Sequence, residues 1–180
     1  MPRPERTFLR SSIVNTKKWK QQLAALRESL ERAKGSLELA RTIGQLGDHL
    51  RLSPDHIEEA ISTLLRSLKH AEEAGDPGML ASNMIRLAVA QQYAGNHRAS
   101  IGLHRSAIIL IQEHNVCGLA DFALQHLGKC YAEFGKIDEA AACFSEALRL
   151  REQHGDEDLI NSTREAIAHL EQLQTGLTDA

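Results

Sequence analysis

One spacing constrains this chain more than any other feature. Ala60, Ser100 and Ala140 stand 40 residues apart, and Leu64, His104 and Phe144 keep the same interval. So do Ser67, Ala107 and Ala147, followed by Leu68, Ile108 and Leu148. Upstream, Leu87-Ala88 matches Leu127-Gly128, with Leu46-Gly47 one residue out of register. The unit ends recur as Glu73-Ala74-Gly75-Asp76, Glu113-His114-Asn115-Val116 and Gln153-His154-Gly155-Asp156. Small and apolar positions held at one period over three copies describe a repeat that buries its faces by stacking. Each copy reads as two amphipathic helices around a short turn.

The third copy, Leu127 to Leu150, is the best formed. Gly128 on its first helix and Ala140 on its second are small, so two backbones can approach closely. Gly135 ends the first helix in a left-handed conformation at little cost. Tyr131, Phe144 and Leu148 supply bulk for the seam. With Leu127, Gly128, Tyr131, Gly135, Ala140, Phe144 and Ala147 in place, this copy resembles the tetratricopeptide repeat. The middle copy departs from that pattern at Ala88, Gln91, Ser100 and His104. The first copy has Gly47, Leu50, Ala60 and Leu64, with an added residue near Ser53-Pro54. The resemblance covers roughly residues 38 to 172 and implies an all-α fold, a right-handed α-solenoid of about three hairpins with capping helices at both ends. A 40-residue period exceeds the roughly 34 residues of the common form. It is similar to the long-helix subgroup, which includes spindle adaptors and bacterial peptide-sensing regulators.

Composition agrees. Apolar residues make up 42% of the 180-residue chain but aromatics only 4%, so the core must be largely Leu, Ile and Ala on helices. Stop and start signals predict helices near 15–34, 37–51, 54–74, 78–94, 97–114, 118–134, 137–154 and 157–173. Ser53-Pro54 and Asp76-Pro77 serve as N-cap and first-turn pairs. The first helix, carrying Trp19, Leu23, Leu26 and Leu30, is expected to cover one end with Trp19 as a core cap residue. A partner anchor is the alternative for Trp19. The organisation predicted is a basic arm at 1–14, one repeat domain at 15–173 and a flexible tail at 174–180.

Charge and cysteine narrow the setting. Residues 1–20 hold six cations against Glu5, whereas residues 156–180 hold six carboxylates against Arg164. A basic arm can touch nucleic acid, but a solvated terminus is the simpler account. Net charge of −3 demands neither nucleic acid nor an anionic membrane. No apolar run reaches the roughly 18 residues of a membrane span, and MPRPERTFLR holds no signal-peptide core. Cys117, Cys130 and Cys143 have no CxxC spacing, which suits a reducing cytoplasm; the whole reads as a small bacterial repeat protein.

The motifs of catalysis are missing. No Gly-rich phosphate loop, H-E-x-x-H or nucleophile elbow occurs. His126 and Cys130 lie four apart on one helix, but no second pair completes a metal site. No catalytic, cofactor or metal residue is assigned, and an enzyme is not expected. His104 replaces a seam aromatic and is expected to be a core histidine with one hydrogen bond.

What remains is a binding surface. In repeats of this family the first helix of each unit lines a concave face, which the resemblance places at Arg41, Gln45, Asp48 and Arg51. The second unit adds Ser82, Ile85, Arg86, Val89, Gln92 and Tyr93. The third adds Phe122, Gln125, His126, Lys129 and Glu133, and the terminal helix adds Glu165 and His169. Arg41, Arg51, Arg86 and Lys129 offer donors to carboxylates, over an apolar floor of Ile85, Val89 and Phe122. The expected ligand is another protein or a peptide with acidic and apolar groups. An adaptor is therefore expected, with a regulatory sensor or toxin-neutralising immunity protein as the alternative. The chaperone clamp of the family does not match, because Asp48, Val89 and Lys129 stand where its Asn would recur. Two further readings are nucleic-acid contact through the arm and self-association through Phe8, Leu9, Ile13, Val14 and Trp19.

Overall fold

A computed structural model of the chain describes residues 7–178, and the secondary structure among them is helical. The helices are α1 (Thr16–Arg32), α2 (Ser36–Leu50), α3 (Ile57–Ala74), α4 (Pro77–Tyr93), α5 (His97–Glu113), α6 (Ala120–Glu133), α7 (Ile137–His154) and α8 (Glu157–Thr178). A 3-10 turn, Pro54–His56, precedes α3. The described residues form two compact units. The larger is Arg10–Val116, and the smaller holds 117–178 with 7–9. α8 runs on through Thr178, so positions 174–178 are helix where a tail was expected. Residues 1–6 of the basic arm and 179–180 lie outside the described residues.

Hairpins dominate the packing: α2 lies against α3, α4 against α5, and α6 against α7. Within the larger unit the first helices α2 and α4 also touch, and in the smaller unit α8 packs on α7. Repeat arithmetic explains which residues are inside. Ala60, Ser100 and Ala140 are all 0% exposed, as are Leu64, His104 and Phe144, and Ser67, Ala107 and Ala147. The turns ending α3, α5 and α7 share a left-handed residue: Gly75 (φ 63°), Asn115 (φ 50°) and Gly155 (φ 75°). Asn stands in for Gly at the middle position because its short polar side chain tolerates that conformation.

Close approach is visible where small residues were expected. A Cβ on Gly128 would lie 2.6 Å from the Phe144 ring, and one on Gly47 would lie 2.5 Å from Leu64. In these two hairpins, α2–α3 and α6–α7, the first helix therefore touches the second across the space a methyl group would fill. At the start of the larger unit, Trp19 and Leu23 of α1 join Leu46, Leu50 and Ala60 in one apolar cluster. The Trp19 indole N–H donates to the His49 carbonyl at 3.1 Å, and its ring stacks on His49. Trp19 is a core cap residue.

Start signals behave as capping chemistry predicts in one of the two cases. The Asp76 carboxylate accepts from the Met79 N–H at 2.7 Å, with Pro77 opening α4. Ser53 makes no side-chain cap; its hydroxyl is buried and pairs with His56 Nδ1. The residue added near Ser53-Pro54 is thus absorbed as a 3-10 turn before α3.

Candidate functional site

The predicted binding residues resolve into a cationic cluster in the larger unit and an aromatic socket in the smaller one. In the larger unit, Arg41 and Gln45 of α2 are exposed, whereas Asp48 and Arg51 at its end are partly covered. Arg51 Nε donates to Asp48 Oδ1 at 2.6 Å, with the arginine side chain only 11% exposed. Its guanidinium lies 5.0 Å from the centroid of the Tyr93 ring on α4, a cation–π separation. The Arg51 Nη1 atom is buried and has no hydrogen-bond partner among the described residues.

Arg86 of α4 adds a second guanidinium. It donates to Asn83 Oδ1 at 2.7 Å, and Asn83 Nδ2 donates in turn to the Ala40 carbonyl of α2 at 3.0 Å. Burial holds the Arg86 guanidinium below the usual arginine range; Asp48 acts against that shift and Arg51 adds to it. Asn83 was not among the sequence-predicted residues. Its place depends on Gly44, where a Cβ would collide with the Asn83 amide. That signal becomes readable only once α2 and α4 are known to touch.

A third arginine comes from the segment before α1. Arg10 donates to the Gln92 carbonyl at 2.9 Å and the Tyr93 carbonyl at 3.2 Å, and its guanidinium is 5.0 Å from the Tyr93 ring centroid. The Tyr93 hydroxyl donates to the Ser11 carbonyl at 3.1 Å. Arg10, Arg51 and Arg86 are thus held near one another through Tyr93 and Asp48. Cationic charge exceeds anionic charge in the cluster, which suits a carboxylate ligand.

Four predicted positions lie deeper than the groove reading required. Ile85, Val89 and Gln92 of α4 and Gln125 of α6 are buried. Ile85 and Val89 therefore provide no open apolar floor: α4 is covered on a broader arc than a surface stripe, as its run of buried residues from Leu87 to Ala90 shows. Ser82 is half-buried.

In the smaller unit, Lys129, Glu133 and His169 meet around Phe8. The Phe8 N–H donates to Glu133 Oε1 at 2.8 Å, and Lys129 Nζ reaches the Leu9 carbonyl at 3.4 Å. The Phe8 ring is 1% exposed. It stacks on Phe144 at 5.8 Å between centroids and meets the His169 ring edge-on at 5.2 Å. Phe122 and Glu165 are exposed, and His126 is half-buried. Phe8 and Trp19 are internal, which removes them from the apolar end proposed for self-association; Val14 alone of that set stands almost fully exposed.

No group of three or more His, Cys, Asp or Glu among the described residues is arranged to hold a metal ion. His104 is a core histidine whose protonated Nδ1 donates to the Ser100 carbonyl at 3.0 Å. No helix among the described residues is long and apolar enough to cross a membrane.

Comparison with known proteins agrees with this architecture. The family model described as anaphase-promoting complex subunit 5 matches twice in succession, over residues 49–119 and 118–174. The chain belongs to this family. This anaphase-promoting complex subunit 5 family is tetratricopeptide-like, in keeping with the repeat type that the sequence resembles. Solved structures of the same type are similar to it. BtubC from P. vanneervenii is 19% identical with a TM-score of 0.63, covering 86% of this chain and 74% of that one. The TPR-like repeats named for a kinesin light chain of Podosopora anserina are 12% identical with a TM-score of 0.60, covering 91% and 79%. The TPR domain of Arabidopsis FLU is 18% identical with a TM-score of 0.54, covering 75% and 98%. At these identities the likeness is one of fold. A comparison with curated proteins found no match. A tetratricopeptide-like fold of this kind serves as a protein-interaction or scaffold module.

Proposed function

We propose that this chain is a non-catalytic, cytoplasmic adaptor that grips a carboxylate-bearing segment of another protein along α2 and α4. The observation that carries the reading is the buried Arg51 Nη1 without a partner, close to Arg86 and with Asp48 as the carboxylate they share. An unmet buried donor costs about 1–3 kcal/mol, and an incoming carboxylate supplies the missing acceptor in a charge-assisted bond. The family description names a subunit of a larger complex, a setting that supports protein binding as the role. Cys117, Cys130 and Cys143 are reduced thiols, which suits a reducing compartment.

The test is capture of a partner from the native cell by the tagged chain, compared with Arg86→Gln and with Arg149→Glu. Arg149 is exposed and pairs with Glu146 of its own helix. Capture should be lost in Arg86→Gln and kept in Arg149→Glu. Undiminished capture by Arg86→Gln removes α4 from the site.

A further inference from the structure

Phe8 and Leu9 lie on the face of the smaller unit where the repeat register places ligand-binding side chains. Lys129 and Glu133 were assigned to that face by their helical position, and His169 by its place on the terminal helix. The contacts made to the segment are of a kind suited to any extended peptide. Glu133 accepts from a main-chain N–H, and Lys129 approaches a main-chain carbonyl. The ring socket between Phe144 and His169 reads a side chain. A main-chain grip combined with one side-chain pocket is how extended peptides are recognised.

Two features mark the segment as an imperfect occupant. Leu9 has φ 46°, a left-handed conformation that is unfavourable for a residue carrying a Cβ. One turn along the same stripe of α6, Gln125 is buried, and neither its amide nitrogen nor its amide oxygen has a hydrogen-bond partner among the described residues. Positions 125, 129 and 133 share one helix face by their spacing of four. The segment engages 133 and 129 and leaves 125 unmet.

We propose that Phe8–Leu9 is a built-in competitor seated in a peptide site. The ligand proper is an extended segment of another protein that inserts an aromatic side chain between Phe144 and His169. Such a segment donates its amide to Glu133 and continues along α6 to pair with Gln125. Binding then requires release of Phe8, so affinity for the partner is set in part by the docking equilibrium of this chain's own segment. The proposal deepens the adaptor reading and rests on it only in taking these first-helix faces as ligand-binding. It commits the smaller unit to an aromatic-bearing peptide.

The experiment titrates a fluorescently labelled peptide of residues 5–9, which omits the Arg10 and Ser11 contacts to α4, into the full chain and into its Phe8→Ala variant, with helicity checked by circular dichroism. A tethered segment competes at an effective concentration on the order of millimolar. The peptide should therefore bind Phe8→Ala at least about tenfold more tightly than the parent. The same peptide with Phe8→Ala should not bind. Where Phe8→Ala loses helicity, Phe8→Leu replaces it, since leucine fills much of the socket without the ring contacts.

Equal affinity for parent and variant, or no binding to a variant of parental helicity, overturns the proposal. Unfolding of both variants overturns it too, by making the segment part of the fold. A parent whose mass doubles with concentration, and does so only with Phe8 intact, gives the socket to a second copy instead. Because the probe is this chain's own segment, the result stands apart from partner capture through Arg86.

Discussion

Arg151 of α7 donates from Nε to Asp121 Oδ2 of α6 at 2.9 Å, and both side chains are only 3% exposed. Its Nη1 is engaged as well, with the Leu159 carbonyl at 3.0 Å and the Thr163 hydroxyl at 2.7 Å. One guanidinium thus ties the second helix of the third copy to the helix before it and the helix after it. Removing one partner of such a pair leaves an uncompensated buried charge, a loss of about 3–5 kcal/mol. Asp121→Ala should lower stability by that order in urea denaturation. Replacing both members by apolar residues, Asp121→Leu with Arg151→Met, should recover much of it. If the double variant is no better than the single, the pair's hydrogen bonds matter more than its buried charge.

Gly128 and Phe144 make a second dependency, and the middle copy shows its converse. The third copy has no Cβ where the Phe144 ring sits, whereas the middle copy carries Ala88 and the smaller His104 at the equivalent places. The exchange of Gly for Ala is therefore matched by the exchange of Phe for His. Gly128→Ala should cost about 1–3 kcal/mol through overpacking. His104→Phe should destabilise by itself and be rescued by Ala88→Gly. Phe144→Ala should cost about 3–5 kcal/mol, more than His104→Ala, and thermal melts of these variants decide the order.

His104 also makes stability depend on pH. Burial outweighs the hydrogen bond that His104 donates to the Ser100 carbonyl and pushes its pKa from 6.5 down to about 4. The unfolded chain therefore takes up the proton first as pH falls. The contribution is fully present above about pH 6.5, is lost progressively toward pH 4, and is constant below that, for a total of about 3 kcal/mol. The difference in stability between the parent and His104→Gln should change across that window and not above it. A parallel pH dependence in the two proteins would mean that other groups govern acid unfolding.

Most of the fold was legible because the repeat is local chemistry written several times. Each helix carries its own periodicity, and the buried triplets follow from one interval. The site was legible only where it depended on helix position. Arg51, Arg86, Lys129 and Glu133 fall where the register puts them, yet Asn83 does not announce itself, since its amide is placed by a glycine on another helix. Phe8 was hidden in a different way. It stands within a charge-rich stretch with no helical period, and the carboxylate that holds it lies 125 residues away. The Asp121–Arg151 pair shares this difficulty, because an isolated Asp and an isolated Arg read as surface charge until packing closes over them.

Arg86 shows how the geometry changes an experiment. Read from position alone, it is a groove cation whose reversal to Glu should abolish binding and leave the melting temperature unchanged. In the structure it is half-buried, bonded to Asn83, and under the influence of both Asp48 and Arg51. A carboxylate there would face the Asn83 oxygen and the Asp48 charge, so Arg86→Glu should lose stability by about 2 kcal/mol or more as well as binding. Arg86→Lys separates the two effects. It keeps the charge but not the planar fork that can hold Asn83 and a ligand carboxylate together. Its melting temperature should stay within a few degrees of the parent's, while partner affinity, measured by titration with the captured protein, falls about tenfold. Arg41→Glu, at an exposed position of α2, should leave the melt untouched and weaken binding less. If Arg86→Lys binds as well as the parent, charge alone suffices at this position and the fork geometry has no part in recognition.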